Sequence, residues 1–163
     1  GTYLDESLEN SACTDFNIGV AGYPEKHMEA ASLEQDIYHL KKKVEAGADY
    51  IVTQMFFDNQ KYYDFVEKCR TSGINVPIIP GLKPITTKSQ LSMIPHRFKV
   101  ELPNELVIAI AKAKDNKEVK EIGINWCIQQ SKDLMKNGAP VLHYYSMGKS
   151  EVVKRIASEV FKD

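Results

Sequence analysis

Apolar positions along this chain fall into two alternating kinds of run. Four are short and β-type: Phe16–Val20, Tyr50–Phe56, Val76–Pro80 and Val141–Tyr145. Each is bounded by polar or turn residues, the pattern of a buried strand. Between them the apolar residues recur at helical spacing. A capping box of Ser32 and Gln35 opens a helix that runs from about Ser32 to Ala46, and Gly47 stops it. Asp58 can cap a second helix through Ser72, with Tyr62, Phe65, Val66 and Cys69 on one buried stripe and Gly73 at its end. After the third strand, Gly81 to Pro84 reads as a tight loop, and a second capping box, Thr87 with Gln90, starts a helix through Ile94. Pro103–Ala113 and Lys117–Asn137 read as further helices, and Ser150 to about Phe161 as the last.

Four strands alternating with helices predict an α/β fold with a parallel sheet and right-handed crossovers. Two architectures satisfy this pattern: a doubly wound domain, or a segment of a (β/α)₈ TIM barrel. Periodicity does not choose between them. A whole barrel takes about 250 residues and eight units, so the barrel reading implies a half barrel, with a further N-terminal half. Such a half would expose two strand edges and an apolar inner face, a liability that predicts pairing with a copy of itself or a different closure.

Composition narrows the class of function. The chain has 163 residues, 43% hydrophobic and 26% charged, enough to bury a core as one domain. A net charge of -1 with interspersed signs supplies no long-range field, so neither nucleic acid nor a membrane surface is an expected partner. The Lys41-Lys42-Lys43 run reads as a solvated helix face. Cys13, Cys69 and Cys127 are far apart and lack metal-ligand spacing, which predicts reduced thiols in a cytoplasmic protein and no metal site. Residues 1–15 are polar and acidic, unlike a signal peptide, and the opening Gly-Thr-Tyr-Leu-Asp is expected to continue a longer chain.

Candidate chemistry collects where strands end. Gly19-Val-Ala-Gly-Tyr-Pro-Glu-Lys-His27 and Tyr50-Ile-Val-Thr-Gln-Met-Phe-Phe-Asp58 each pass abruptly from an apolar run to polar and aromatic residues, the way a buried parallel strand delivers side chains to a site. Gln54 can pair with both a donor and an acceptor edge of a planar ring, or equally be a structural glutamine bonded to backbone. Asp36, His39 and Lys43 share one helical face at i, i+3 and i+7. Spacing alone also fits a charged solvent face. There is no GxGxxG and hence no Rossmann cofactor site.

These segments resemble the methylenetetrahydrofolate reductase family, over roughly Phe16 to Val160 and the second half of its catalytic barrel. The resemblance implies a flavoprotein oxidoreductase of one-carbon metabolism and methionine biosynthesis. Its FAD is reduced by NADH or NADPH and in turn reduces 5,10-methylenetetrahydrofolate to the 5-methyl form. It implies FAD contacts from Ala21, Tyr23, His27, Ala30, Asp36, His39 and Lys43, with His39 standing where a lysine is familiar. It implies folate contacts from Gln54 and Gln90, and from Lys149, where the family commonly has arginine for the folate's glutamate carboxylate. Some members carry an aromatic near Ile94; here Ile94 offers apolar contact. The family's general acid, a glutamate early in the barrel, lies upstream of residue 1, so the chain alone is expected to be inactive. Phe56, Phe57, Tyr144 and Tyr145 are assigned to core. A homo-oligomer is expected. Two other classes remain: a stand-alone half-barrel binding or dimerising module without catalysis, and a Schiff-base lyase using Lys83.

Overall fold

The computed structural model describes residues 15–148 and 150–162. Four strands and six helices follow one another as β1 (Gly19–Gly22), α1 (Leu33–Glu45), β2 (Tyr50–Met55), α2 (Asn59–Thr71), β3 (Ile78–Leu82), α3 (Gln90–Phe98), α4 (Asn104–Lys112), α5 (Asn116–Lys136), β4 (His143–Tyr144) and α6 (Ser150–Val160). The strands form one parallel sheet in the order β1-β2-β3-β4. That order resolves the choice the sequence left open. Each crossover steps to the same side, so right-handed connections place the layer of α1, α2, α5 and α6 on one face, as in a (β/α)₈ barrel. A doubly wound sheet would reverse direction partway.

Helix boundaries follow the expected caps. Ser32 Oγ accepts the Gln35 N–H at 3.2 Å, and Asp58 Oδ1 accepts the Gln60 N–H at 2.9 Å. Gly47 and Gly73 take positive φ beyond α1 and α2, the left-handed backbone that ends a helix. All four strands differ from expectation at an end: β2 stops at Met55 rather than Phe56, β3 starts at Ile78 rather than Val76, and β4 covers only His143–Tyr144 of the expected Val141–Tyr145. β1 begins at Gly19 rather than Phe16, because the pairing with β2 runs from Gly19–Tyr50 to Gly22–Thr53 while Phe16 and Ile18 stay exposed. β3 runs to Leu82 rather than Pro80, so Gly81, expected in a loop, sits inside the strand. Helix α3 starts at Gln90 rather than Thr87, after a turn over 87–89.

Two apolar clusters hold the layers together. One lies between the sheet and α1, α2, α5 and α6, with Ile51, Phe65, Ile78, Leu82, Ile124 and Ile156 at its centre. The second, around Met55, Phe57, Ile85, Ile94, Leu106 and Ile110, seats α3 and α4 against the loops that follow β2 and β3. On the opposite sheet face Val52 and Ile79 are only half-buried, and β1 and β4 form its edges. None of the helices among the described residues is long and apolar enough to cross a membrane.

Candidate functional site

The C-terminal end of β2 is shaped by a local irregularity. Val52 pairs with Ile79 but Met55 with Gly81, so β2 carries one extra residue across Thr53 and Gln54. Such a bulge re-aims a side chain at a strand end. Thr53 compensates for the broken ladder: its Oγ1 accepts the Gly81 N–H at 2.9 Å, and its carbonyl accepts the Tyr145 hydroxyl at 2.8 Å. This approach needs a glycine, because a Cβ on Gly81 would overlap the Thr53 carbonyl oxygen and stand 2.7 Å from the Tyr145 ring. Helix α5 fixes the following loop from outside. Trp126 Nε1 donates to the Phe57 carbonyl at 3.1 Å and Gln130 Nε2 to the Phe56 carbonyl at 3.0 Å.

Gln54 and Gln90 line the same cleft, of 520 Å³, together with Met55, Lys83, Met93, Arg97, Phe98 and Tyr145 among others. Gln54 is half-buried; its Oε1 accepts the Met55 N–H at 3.0 Å, which orients the amide while its nitrogen has no partner among the described residues. The carbonyl keeps a second lone pair, so the amide can still offer both a donor and an acceptor. Gln90 is oriented in the same manner: its Oε1 accepts the Thr86 N–H at 2.6 Å and the Thr87 N–H at 3.1 Å. The glutamine half of the expected capping box is therefore made, whereas the N-cap is Ser89, without a side-chain bond.

Two expectations need correction here, and one lining residue was missed. Ile94 is fully buried against Met55 and Phe57 and does not line the cleft; Met93, one residue earlier, does. Tyr145, assigned to the core with Phe56, Phe57 and Tyr144, lines the cleft, because its hydroxyl reaches the Thr53 carbonyl that the bulge leaves free. Arg97 was not singled out at all, although its place at i+7 from Gln90 on an amphipathic helix was a readable signal. Lys149 lies outside the described residues.

A second cleft, of 320 Å³, is lined by Tyr23, His27, Ala30, Asp36, His39 and Lys43, with Glu29 and Gln35. Six of the seven residues expected at the cofactor are thus brought together; Ala21 pairs with Val52 on β1 and is not among the lining residues. The β1–α1 loop is held by Lys26, which takes positive φ and whose Nζ donates to the carbonyls of His27 at 3.2 Å and Ala30 at 2.5 Å. Asp36 Oδ2 accepts the His27 N–H at 2.8 Å. His27 Nδ1 accepts the Glu29 N–H at 3.3 Å, which orients the ring. The Tyr23 hydroxyl titrates above its usual range, through burial first and the nearby Asp36 charge second. The ammonium of Lys43, the imidazole of His39 and the carboxylate of Asp36, all on one face of α1, suit phosphates and ribose hydroxyls. The residues therefore fit a phosphate-bearing dinucleotide such as FAD.

A parallel sheet of barrel type, with two clefts beside the C-terminal ends of β1 and β2, defines the class: a (β/α)₈-family protein, a fold in which sites lie on the strand-end loops. The family model for methylenetetrahydrofolate reductase matches residues 4–160, and the chain belongs to that family. It is 38% identical over 143 residues to methylenetetrahydrofolate reductase 1 of Schizosaccharomyces pombe, covering 87% of this chain and 24% of that protein. Against methylenetetrahydrofolate reductase (NADH) 1 of Arabidopsis thaliana the identity is 40%, over 81% of this chain and 24% of that protein. The 5,10-methylenetetrahydrofolate reductase of Salmonella typhimurium is 34% identical, over 85% of this chain and 47% of its own length. The chain thus spans a quarter to a half of these relatives. Among solved structures, an uncharacterized protein from Clostridium thermocellum that binds two copies of 5-methyl-5,6,7,8-tetrahydrofolic acid shares the fold. Its TM-score is 0.57 at 19% identity, over 89% of this chain and 52% of that one.

Proposed function

We propose that these residues are the C-terminal half of the catalytic barrel of a cytoplasmic, FAD-dependent enzyme that reduces 5,10-methylenetetrahydrofolate to 5-methyltetrahydrofolate with NADH or NADPH. The observation that carries this reading is that Gln54 and Gln90 line one cleft while six expected cofactor residues line another. When bound, FAD supplies hydride transfer between the nicotinamide and the folate. The chain's own residues bind and orient. Lys43, His39 and His27 offer donors to the cofactor's phosphates, and Asp36 offers an acceptor to its hydroxyls. Gln54 and Gln90 present amide edges to the pterin, and Lys149 supplies a positive charge for the glutamate carboxylate. No carboxylic acid lines the Gln54 cleft among the described residues. On this reading the acid that protonates the folate nitrogen comes from elsewhere in the complete protein.

Side-chain amide NMR of the complete protein tests this assignment. 5-Methyltetrahydrofolate is expected to shift the Gln54 and Gln90 carboxamide signals, and FAD the backbone signals of 36–43. Folate that perturbs neither glutamine contradicts the reading. A second reading, a homo-oligomeric half barrel without catalysis, draws on the open edges at β1 and β4; the mass of the particle in solution and turnover of the complete protein separate the two.

A further inference from the structure

The cleft that contains Gln54 and Gln90 is distinguished by its charge. Among the described residues that line it, the charged ones are Lys83 and Arg97, and none is a carboxylate. The cofactor cleft carries Glu29 and Asp36, and the groove between α1 and α2 carries Glu25, Glu34, Asp64, Glu67 and Glu101. A cleft lined by basic rather than acidic side chains raises the local concentration of anions.

Arg97 is placed by α3. Gln90, Met93 and Arg97 stand at i, i+3 and i+7 and all line the cleft, so one helix face presents an amide, a thioether and a guanidinium in line. At 1.5 Å of rise per residue the two ends of that face are about 10 Å apart. Arg97 makes no ion pair with a carboxylate among the described residues. Its guanidinium lies 5.8 Å from the centre of the Phe98 ring, another cleft residue, which limits where the fork can go. This arrangement suits a ligand with a flat hydrogen-bonding head, an apolar middle and an anionic end.

We propose that Arg97 is a specificity-determining residue of this cleft, taking the carboxylate or phosphate end of a ligand whose ring system lies against Gln54 and Gln90. Resting on the folate reading above, the anion is either the glutamyl carboxylate of the folate or the pyrophosphate of the nicotinamide dinucleotide. Both present oxygen pairs that a guanidinium fork can meet in bidentate fashion.

Titration calorimetry on the complete protein decides it, with wild type, Arg97→Gln and Arg97→Lys each titrated with four ligands: monoglutamyl and triglutamyl 5-methyltetrahydrofolate, NADH, and a tail-free 6-methyltetrahydropterin. Loss of one partly exposed charge contact predicts about fivefold weaker binding of the ligand whose anion Arg97 meets. Arg97→Lys is expected to restore part of that, and the wild-type affinity to fall more steeply with salt than that of Arg97→Gln. A loss confined to the folates assigns the glutamyl tail; one confined to NADH assigns the dinucleotide. Tail-free pterin binding should be unchanged throughout. If Arg97→Gln binds every tailed ligand as wild type does while the pterin still binds, the proposal falls and the folate reading stands. If no folate, pterin or dinucleotide binds wild type, both fall.

Discussion

Replacing Gly81 by alanine tests how the fold positions Gln54. The new methyl would overlap the Thr53 carbonyl oxygen and press on the Tyr145 ring at 2.7 Å, so β2 and β3 must separate locally by roughly 1 Å to reach ordinary contact. That separation weakens the bond from the Gly81 N–H to Thr53 Oγ1 and disturbs the one from the Tyr145 hydroxyl to the Thr53 carbonyl. One lost internal hydrogen bond costs about 1 kcal/mol, and overpacking adds about 1–3 kcal/mol. Gly81→Ala is therefore expected to lose about 2–4 kcal/mol of unfolding free energy, a large fraction of the 5–15 kcal/mol typical of a domain. Urea denaturation followed by circular dichroism measures it. Because Gln54 belongs to the same bulge, a shift of this size should also cost about a hundredfold in the folate reaction of the complete protein. A loss below about 0.5 kcal/mol with unchanged folate kinetics would show that the close approach is slack and that the bulge does not place the amide.

Three further outcomes are expected. Cys69 and Cys127 are buried, and burial pushes each thiol up to about 12; a thiol reagent at pH 8 should label neither until the protein is unfolded. Since both pKa values lie above the ordinary 9.0, folding favours the protonated thiols, and that contribution, complete below pH 9, should disappear as pH rises toward 12; urea midpoints across this window check it. The 163-residue chain, assayed with NADH, menadione and added FAD, should show no flavoenzyme turnover; ordinary turnover would mean that these residues hold a complete flavin site.

Much of the architecture was legible because it rests on local signals. The Ser32 and Asp58 caps, the terminating glycines and the apolar stripe of α2 each depend on neighbours in sequence, and each is found as expected. Strand ends were less legible. Phe16 and Ile18 look like strand residues by hydrophobicity, yet pairing falls on the small residues Ala21 and Gly22, whose place is set by β2. The same holds for Gly81, whose role as the close-approach residue exists only once Thr53 faces it across two strands. The candidate site divides likewise. Asp36, His39 and Lys43 share a helical face readable from spacing, whereas Tyr145 enters the Gln54 cleft only through a bulge that no periodicity shows.

The central claim is that Gln54 reads the pterin. Stopped-flow kinetics of Gln54→Glu in the complete protein test it most directly, by following flavin reduction by the nicotinamide and flavin reoxidation by methylenetetrahydrofolate separately. A glutamate keeps acceptors but removes the amide donor and adds charge, leaving a pterin group unpaired at a cost of about 1–3 kcal/mol, roughly 5- to 150-fold. The account predicts that loss in the folate half-reaction and a much smaller change in the nicotinamide half-reaction. Equal losses in both, or an unaffected folate half-reaction, would contradict it and make Gln54 a structural residue.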